Sequence, residues 1–256
     1  MFDESGEAFH QAGFYANQGA TPESQGEPLP EYLWPVPDPD ALIALPPADQ
    51  LQLAPIDFRT LTEERRSHRR YDVDSFLSPE ELSYLLWLTQ GVKKVSEKKG
   101  LTLRTVPSAG CRHPFETYVA IRRVQKFDPG IYHYIAHLHA LLPFKLGVEA
   151  LDSVTEAARK QSHVQTAALN FIWTAIPYRT SWRYGARAYR YLYLDAGHVC
   201  QNLYLAAESI ACGVCAIGAF EDQLADDLLA LDGRSQFTIY MASLGRKLKP
   251  DIPPGG

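Results

Sequence analysis

Apolar and polar positions repeat with two different periods along this chain, and each change of period marks an element. From Ser78 to Gly91 the spacing is helical, with Leu82, Leu85, Leu86 and Leu88 gathered on one face. The punctuation of that helix is complete. Ser78 stands as N-cap, Pro79 in the first turn, Glu81 where it closes a capping box, and Gly91 as the stop. Helical spacing returns over 147–161, over 195–210 (Val199, Leu203, Ala206, Ala207 and Ile210 on one stripe) and over 221–231, where Gly233 ends it. Between these lie short apolar runs that predict strands at 117–121, 130–134, 168–175 and 237–244. The run from Ala168 to Ala175 is almost continuously apolar, as in a strand covered on both faces. Helices and strands mix without strict βαβ alternation, and no G-x-G-x-x-G fingerprint follows a strand. The pattern therefore predicts a layered α+β fold rather than a Rossmann domain.

The first 55 residues behave differently. They hold half of the 18 prolines, which forbids long helices and favours extended backbone, yet Phe9, Phe14, Tyr15, Tyr32, Leu33 and Trp34 are interleaved among them. A disordered tail carries fewer apolar residues, so the expectation is an irregular arm over 1–55 lying on a globular domain over 56–256. Charge divides at the same place. Residues 1–58 contain ten Asp or Glu and no Lys or Arg, which leaves 25 basic against 20 acidic residues in the remainder. An acidic arm joined to a mildly basic body is expected to wrap that body or a partner subunit. The net charge of -5 opposes a nucleic-acid partner. No run of about 18 apolar residues predicts a membrane span. Met1-Phe2-Asp3-Glu4 lacks the basic-then-apolar layout of a secretory signal, so a cytoplasmic protein is expected. Four cysteines are too few for a disulfide framework. Cys212-Gly213-Val214-Cys215 has no second ligand pair to complete a zinc site, and it reads as two buried thiols.

Candidate chemistry concentrates in two stretches. Arg65-Arg66-Ser67-His68-Arg69-Arg70-Tyr71 packs four guanidinium groups and a hydroxyl into seven residues. That is either a solvated helix end or a set of donors for phosphate oxygens. Arg104 to Glu116 is a bend rich in small residues, with Pro107, Ser108, Ala109 and Gly110 at its centre. It is either an ordinary turn or a place where a flat ligand approaches the backbone. His198 reads as a helix-start histidine, catalytic or packed, and Cys111 as a reactive thiol or a small space-filler.

These stretches, with Gly130-Ile131-Tyr132-His133-Tyr134, the run Arg183 to Tyr191, Asp195-Ala196-Gly197-His198, Ile217-Gly218-Ala219-Phe220 and Ser243-Leu244-Gly245-Arg246, occur in an order that resembles the nitroreductase-like flavoproteins. Within them the sequence is similar to the SagB-type dehydrogenases, the azoline-oxidising enzymes of thiazole/oxazole peptide pathways. The resemblance implies an FMN cofactor, a central mixed sheet wrapped by helices, and a homodimer with flavin sites at the interface. On that basis Arg65, Arg66, Ser67 and Arg69 would hold the phosphate and ribityl chain, with Arg246 closing from the C-terminal side. Pro107, Ser108, Ala109 and Gly110 would line the ring edge, and Ile217, Gly218 and Ala219 would present backbone near N5.

The family's azoline oxidases carry a Lys-Tyr pair where this chain has Arg183-Tyr184. Tyrosine is kept and lysine is replaced. Arginine stays protonated, so Arg183 holds an anionic substrate in this reading and Tyr184 or a histidine moves protons. Three functions fit the sequence. The first is an FMN-dependent dehydrogenase acting on a heterocycle or an amino-acid- or peptide-derived substrate in a biosynthetic pathway, with or without a biosynthetic partner enzyme. The second is an NAD(P)H-dependent reductase of nitro compounds, quinones or activated double bonds. The third is a flavin-binding scaffold in a peptide-modifying complex.

Overall fold

The computed structural model describes residues 3–248; Met1 and Phe2 of the arm and residues 249–256 of the 56–256 domain lie outside the described residues. In chain order the elements are α1 (Glu4–Ala12), β1 (Ile43–Ala44), α2 (Phe58–Glu64), α3 (Pro79–Gln90), β2 (Val92–Ser96), β3 (Leu101–Arg104), β4 (Phe115–Ile121), β5 (Gly130–Ile135), β6 (Ala140–Leu146), α4 (Val148–Ala157), α5 (Ser162–Thr166), β7 (Leu169–Ala175), α6 (Tyr178–Tyr184), α7 (Ala188–Glu208), β8 (Cys212–Ile217), α8 (Asp222–Leu228) and β9 (Phe237–Arg246).

Alternation along the central strands sets the layers. In β4, Phe115, Val119 and Ile121 join one core with Leu82, Leu85 and Leu86 of α3 and Leu192, Val199 and Leu203 of α7. Tyr118 and Ala120 point the other way, into a second core with Ala150, Leu151 and Val154 of α4 and Leu228 of α8. Strand β7 divides likewise, Phe171 and Trp173 to one side and Ile172 to the other. Its unbroken apolar run follows from being covered on both faces. Seven strands make this sheet, in the order β1-β6-β5-β4-β7-β9-β8, and β2 pairs with β3 in a separate hairpin. The α+β, nitroreductase-like architecture is as expected, but every pairing between named strands is antiparallel. The mixed character implied by the resemblance is reduced to isolated parallel bridges, one of them joining Ser67 to Val214 on the edge strand β8.

The long α3 has the predicted ends: Ser78 Oγ accepts from Glu81 N–H at 3.2 Å, and Ser78 N–H donates to Glu81 Oε2 at 2.8 Å. Other expectations need correction. The arm is not wholly irregular. It begins with α1, whose N-cap Asp3 accepts from Ser5 N–H, and it supplies β1 to the sheet edge. The helix expected over 195–210 starts at Ala188, so His198 lies in mid-helix, exposed, and is neither packed nor at a helix start.

Candidate active site

Strand register brings the bend before β4, the start of α6 and the end of β8 to one end of the sheet. Phe115 pairs with Ala175, and Ala175 with Phe237. The bend before β4 therefore leaves the sheet at the same end as the start of α6. Strand β8 runs antiparallel to β9 and finishes at Ile217, opposite Met241, so Gly218 and Ala219 emerge toward that end too. Arg246 stands opposite Cys212, at the far end of β8.

The arginine stretch lies against β8. His68 N–H donates to the Val214 carbonyl at 2.8 Å. Ser67 Oγ sits 3.0 Å from the Tyr204 hydroxyl, which also accepts from Ala216 N–H at 2.9 Å. The Arg65 guanidinium covers the Tyr204 ring at 5.3 Å. Burial raises the Cys215 thiol, and the Arg69 charge offsets part of that. A single tyrosine of α7 thus ties Arg65, Ser67 and β8 together, a role that the sequence reading missed. Arg65, Arg66 and Arg69 form no ion pair with a carboxylate among the described residues. Arg246 differs: its guanidinium donates to Glu81 of the capping box and to the Ile210 carbonyl, and lies 3.6 Å from Cys212 Sγ.

The bend is held by a residue whose part was also missed. Asp195 of α7 is buried, and its carboxylate accepts from Ser108 Oγ at 2.6 Å and from Ala109 N–H at 3.2 Å. Ser108 Oγ in turn accepts from His113 N–H at 2.9 Å. Three residues of this turn take the left-handed conformation, Gly110 (φ 59°), Cys111 (φ 54°) and His113 (φ 43°). Only the glycine does so without steric cost, so the Asp195 bonds hold a strained turn. Burial raises the Asp195 carboxyl above its ordinary value, and the Ser108 and Ala109 bonds offset part of that. The sequence signal was the aspartate opening Asp195-Ala196-Gly197-His198, which drew notice for its histidine.

Arg183 and Tyr184 end α6 directly against this bend. A Cβ built on Gly110 would stand 2.6 Å from the Tyr184 hydroxyl and 3.3 Å from Arg183 Cδ. The structure therefore joins Gly110 to 183–184, and 67–68 to 214 on β8, while Ile217 is buried with Gly218 and Ala219 exposed beyond it. Behind the bend, Glu116 binds Arg179 at 2.5 Å and His133 at 3.1 Å, all buried. Burial alone would raise the Glu116 carboxyl; the Arg179 charge and the His133 bond outweigh it and hold it at about 2. Burial pushes the Cys212 thiol up to about 12 and raises Cys215 also, which opposes thiolate formation in the C-x-x-C pair.

The arm covers this corner of its own chain. Glu23 pairs with Arg183 at 3.3 Å, the Glu27 carbonyl accepts from the Trp182 indole at 3.0 Å, and the Glu31 carbonyl accepts from Arg179 Nε at 2.9 Å. Just before α7, Arg187 donates to the Gly13 carbonyl and lies 4.1 Å over the Tyr15 ring.

Arginines without carboxylate partners among the described residues suit an anionic group, and nothing lies within 4 Å of a Cβ built on Gly218, which leaves space for a flat one.

An antiparallel sheet covered on both faces by helices, with this edge arrangement, is the nitroreductase-like fold. The chain belongs to the nitroreductase family, whose model matches residues 62–246, and members of that family are oxidoreductases that bind a flavin, typically FMN. It is 33% identical over 207 residues to a Methanocaldococcus jannaschii protein named as a nitroreductase, covering 81% of this chain and 97% of that one. It is 29% identical over 133 residues to the trifolitoxin-processing protein TfxB of Rhizobium leguminosarum bv. trifolii, covering 50% of this chain and 36% of TfxB. Among solved structures, an Anabaena variabilis protein named as a nitroreductase superposes with a TM-score of 0.63 at 28% identity, over 74% of this chain. The matched part is only 38% of that longer chain. The Escherichia coli microcin synthetase McbBCD complex, solved with truncated pro-MccB17 bound, contains a chain similar in fold, with a TM-score of 0.59 at 18% identity over 97% of this chain and 95% of its own. Among the described residues no helix is long and apolar enough to cross a membrane.

Proposed function

We propose that this protein is an FMN-dependent dehydrogenase of a biosynthetic pathway, acting as a homodimer on a heterocycle or on an amino-acid- or peptide-derived substrate that a partner enzyme delivers. The observation that carries the reading is the meeting of Arg183 and Tyr184 with the bend at Gly110. The likeness to a trifolitoxin-processing protein supports the biosynthetic part. In this reading Arg65, Arg66, Ser67 and Arg69 hold a phosphate, and the bend 107–110 and the open backbone of 217–219 flank the ring. Bound FMN supplies a two-electron acceptor that takes hydride at N5. Tyr184 relays the proton that leaves the substrate, its hydroxyl oxygen accepting that proton as its own O–H proton passes to solvent water. Arg183 stays charged and orients the substrate, because a guanidinium does not act as a base at neutral pH. The trapped loop geometry keeps the small residues close to the ring and leaves no room for a larger side chain at Gly110.

The test is an anaerobic absorbance titration of the purified protein. The expected result is a yellow protein whose absorbance NADH and NADPH leave unchanged. Rapid bleaching by either would overturn the dehydrogenase reading in favour of a reductase, and a colourless protein that takes up no added FMN would overturn the flavin assignment.

A further inference from the structure

Arg112 is placed unlike any other arginine of the bend. It is 3% exposed, its Nε donates to the Arg179 carbonyl at 3.0 Å, and its guanidinium lies 5.3 Å over the Trp182 ring. Its Nη2 is buried with no acceptor, and no ion pair among the described residues includes it. Burying a guanidinium without a counter-charge is costly, and the cost persists in a fold only where something offsets it. Burial, and then the charge of nearby Arg183, push Arg112 down from its ordinary value, and Glu23 of the arm offsets part of that. The Trp182 ring under Arg112 is the chain neighbour of Arg183, and Arg183 Cδ stands 3.3 Å from a Cβ built on Gly110, so both guanidinium groups belong to one corner, where the carboxylate paired with Arg183 comes from the arm. The Glu23–Arg183 pair is 3.3 Å long and half-exposed, so it is screened and readily exchanged.

We infer that Arg112 and Arg183 form an anion site for a carboxylate-bearing ligand, and that Glu23 of the arm occupies it in the ligand's place. Arg183 offers the accessible donors and Arg112 the buried, unspent one. The Tyr184 hydroxyl, 2.6 Å from a Cβ built on Gly110, puts the site beside the bend. A substrate anchored there by its carboxylate would present its neighbouring carbons to the small-residue loop. The arm would make entry competitive: the ligand displaces Glu23, and the Trp182 bond to the Glu27 carbonyl keeps the arm tethered close by. This inference rests on the reading of the Arg183–Tyr184 face as the substrate side of the site.

Equilibrium dialysis of the full chain against radiolabelled benzoate, with benzamide as the neutral control, tests it without relying on turnover. Benzoate should be retained and benzamide should not. Glu23→Gln should bind benzoate about threefold more tightly, and Arg183→Gln about tenfold more weakly than wild type. Arg112→Lys, which keeps the charge but loses the fork, should also weaken binding. Arg183→Gln, at an exposed position, keeps the test decisive if the buried substitution fails to fold. Equal affinity of wild type and Glu23→Gln, an unchanged Arg183→Gln, no retention by any form, or equal retention of benzamide would each overturn the site. Repeating the dialysis with and without added FMN separates the two readings. Benzoate retention by a protein that takes up no FMN would leave the anion site standing and remove the flavin assignment; FMN uptake without benzoate retention would do the reverse.

Discussion

Asp195 is one carboxylate serving two donors of a strained turn. A hydrogen bond to a charged acceptor contributes about 1.5–3 kcal/mol, and a donor left unmet in the interior costs about as much. Replacing Asp195 with Asn keeps the shape, removes the charge, and offers an amide where Ser108 and Ala109 both need an acceptor. The expected outcome is a folded protein with faster amide hydrogen exchange at Ala109 and His113, and roughly tenfold weaker FMN binding by fluorescence titration. Unchanged exchange at those two amides would show that the turn stands without its carboxylate. His113, at the end of the same turn, makes a second prediction. Burial, with the charges of Arg104 and Arg112 behind it, pushes its imidazole down to about 3 from 6.5. An unfolded chain takes up a proton near pH 6.5 that the folded chain refuses until about pH 3. Stability is therefore lost as the pH falls through that window, by about 2 kcal/mol between pH 7 and pH 5. Glu116, held at about 2 against an ordinary 4.5, adds stability that is lost only at lower pH. Urea unfolding at pH 7 and pH 5 checks the difference: His113→Asn should show a pH dependence smaller than wild type by about that amount.

At the scale of elements, what the sequence revealed followed the strength of local signals. The capping box of α3 was legible because its residues act on one another within four positions, and β7 because burial on both faces leaves an unbroken apolar run. The first half of α7 was hidden. Its alternating Tyr and Arg residues face the arm as well as the core, so the apolar stripe that marks a helix is blurred between Ala188 and Leu194. Asp195 and Tyr204 were missed for a related reason: each acts on a loop distant in sequence, which no local period reports. The arm was legible in composition, but its path was fixed by donors on α6 and around the start of α7 that bind main-chain carbonyls. Such contacts leave no mark on the arm's own side chains. Arg187 is the most heavily used of these donors, bonded to the Gly13 carbonyl and to the Tyr191 hydroxyl and stacked on Tyr15. Arg187→Ala should therefore loosen residues 3–18 while the sheet stays intact. Limited proteolysis should cut within the arm severalfold faster, with a melting temperature lowered by only a few degrees. Equal cleavage rates would mean that the Glu27 and Glu31 carbonyl contacts hold the arm by themselves.

For the whole molecule, the question is what faces the arginines at the β8 edge. Arg66 and Arg69 are exposed, and Phe58 (69% exposed), Val73 (49%) and Phe76 (51%) flank the same stretch in sequence. Large apolar side chains left in water on both sides of a charged stretch make an interface a reasonable use of it, since apolar exposure marks association sites. A second copy placed there would bury Phe58 and enclose the arginines, which strengthens their hold on a phosphate by excluding water. Dimerisation and flavin retention should then be linked. Sedimentation equilibrium should give twice the 28.7 kDa chain mass. Phe58→Glu, which places a charge on that face, should shift the protein toward monomer, and bound FMN per chain should fall in parallel as the protein is diluted. If the variant is monomeric and still holds FMN as tightly as wild type, the flavin site is complete within one chain, and the arginine stretch needs no partner to serve it.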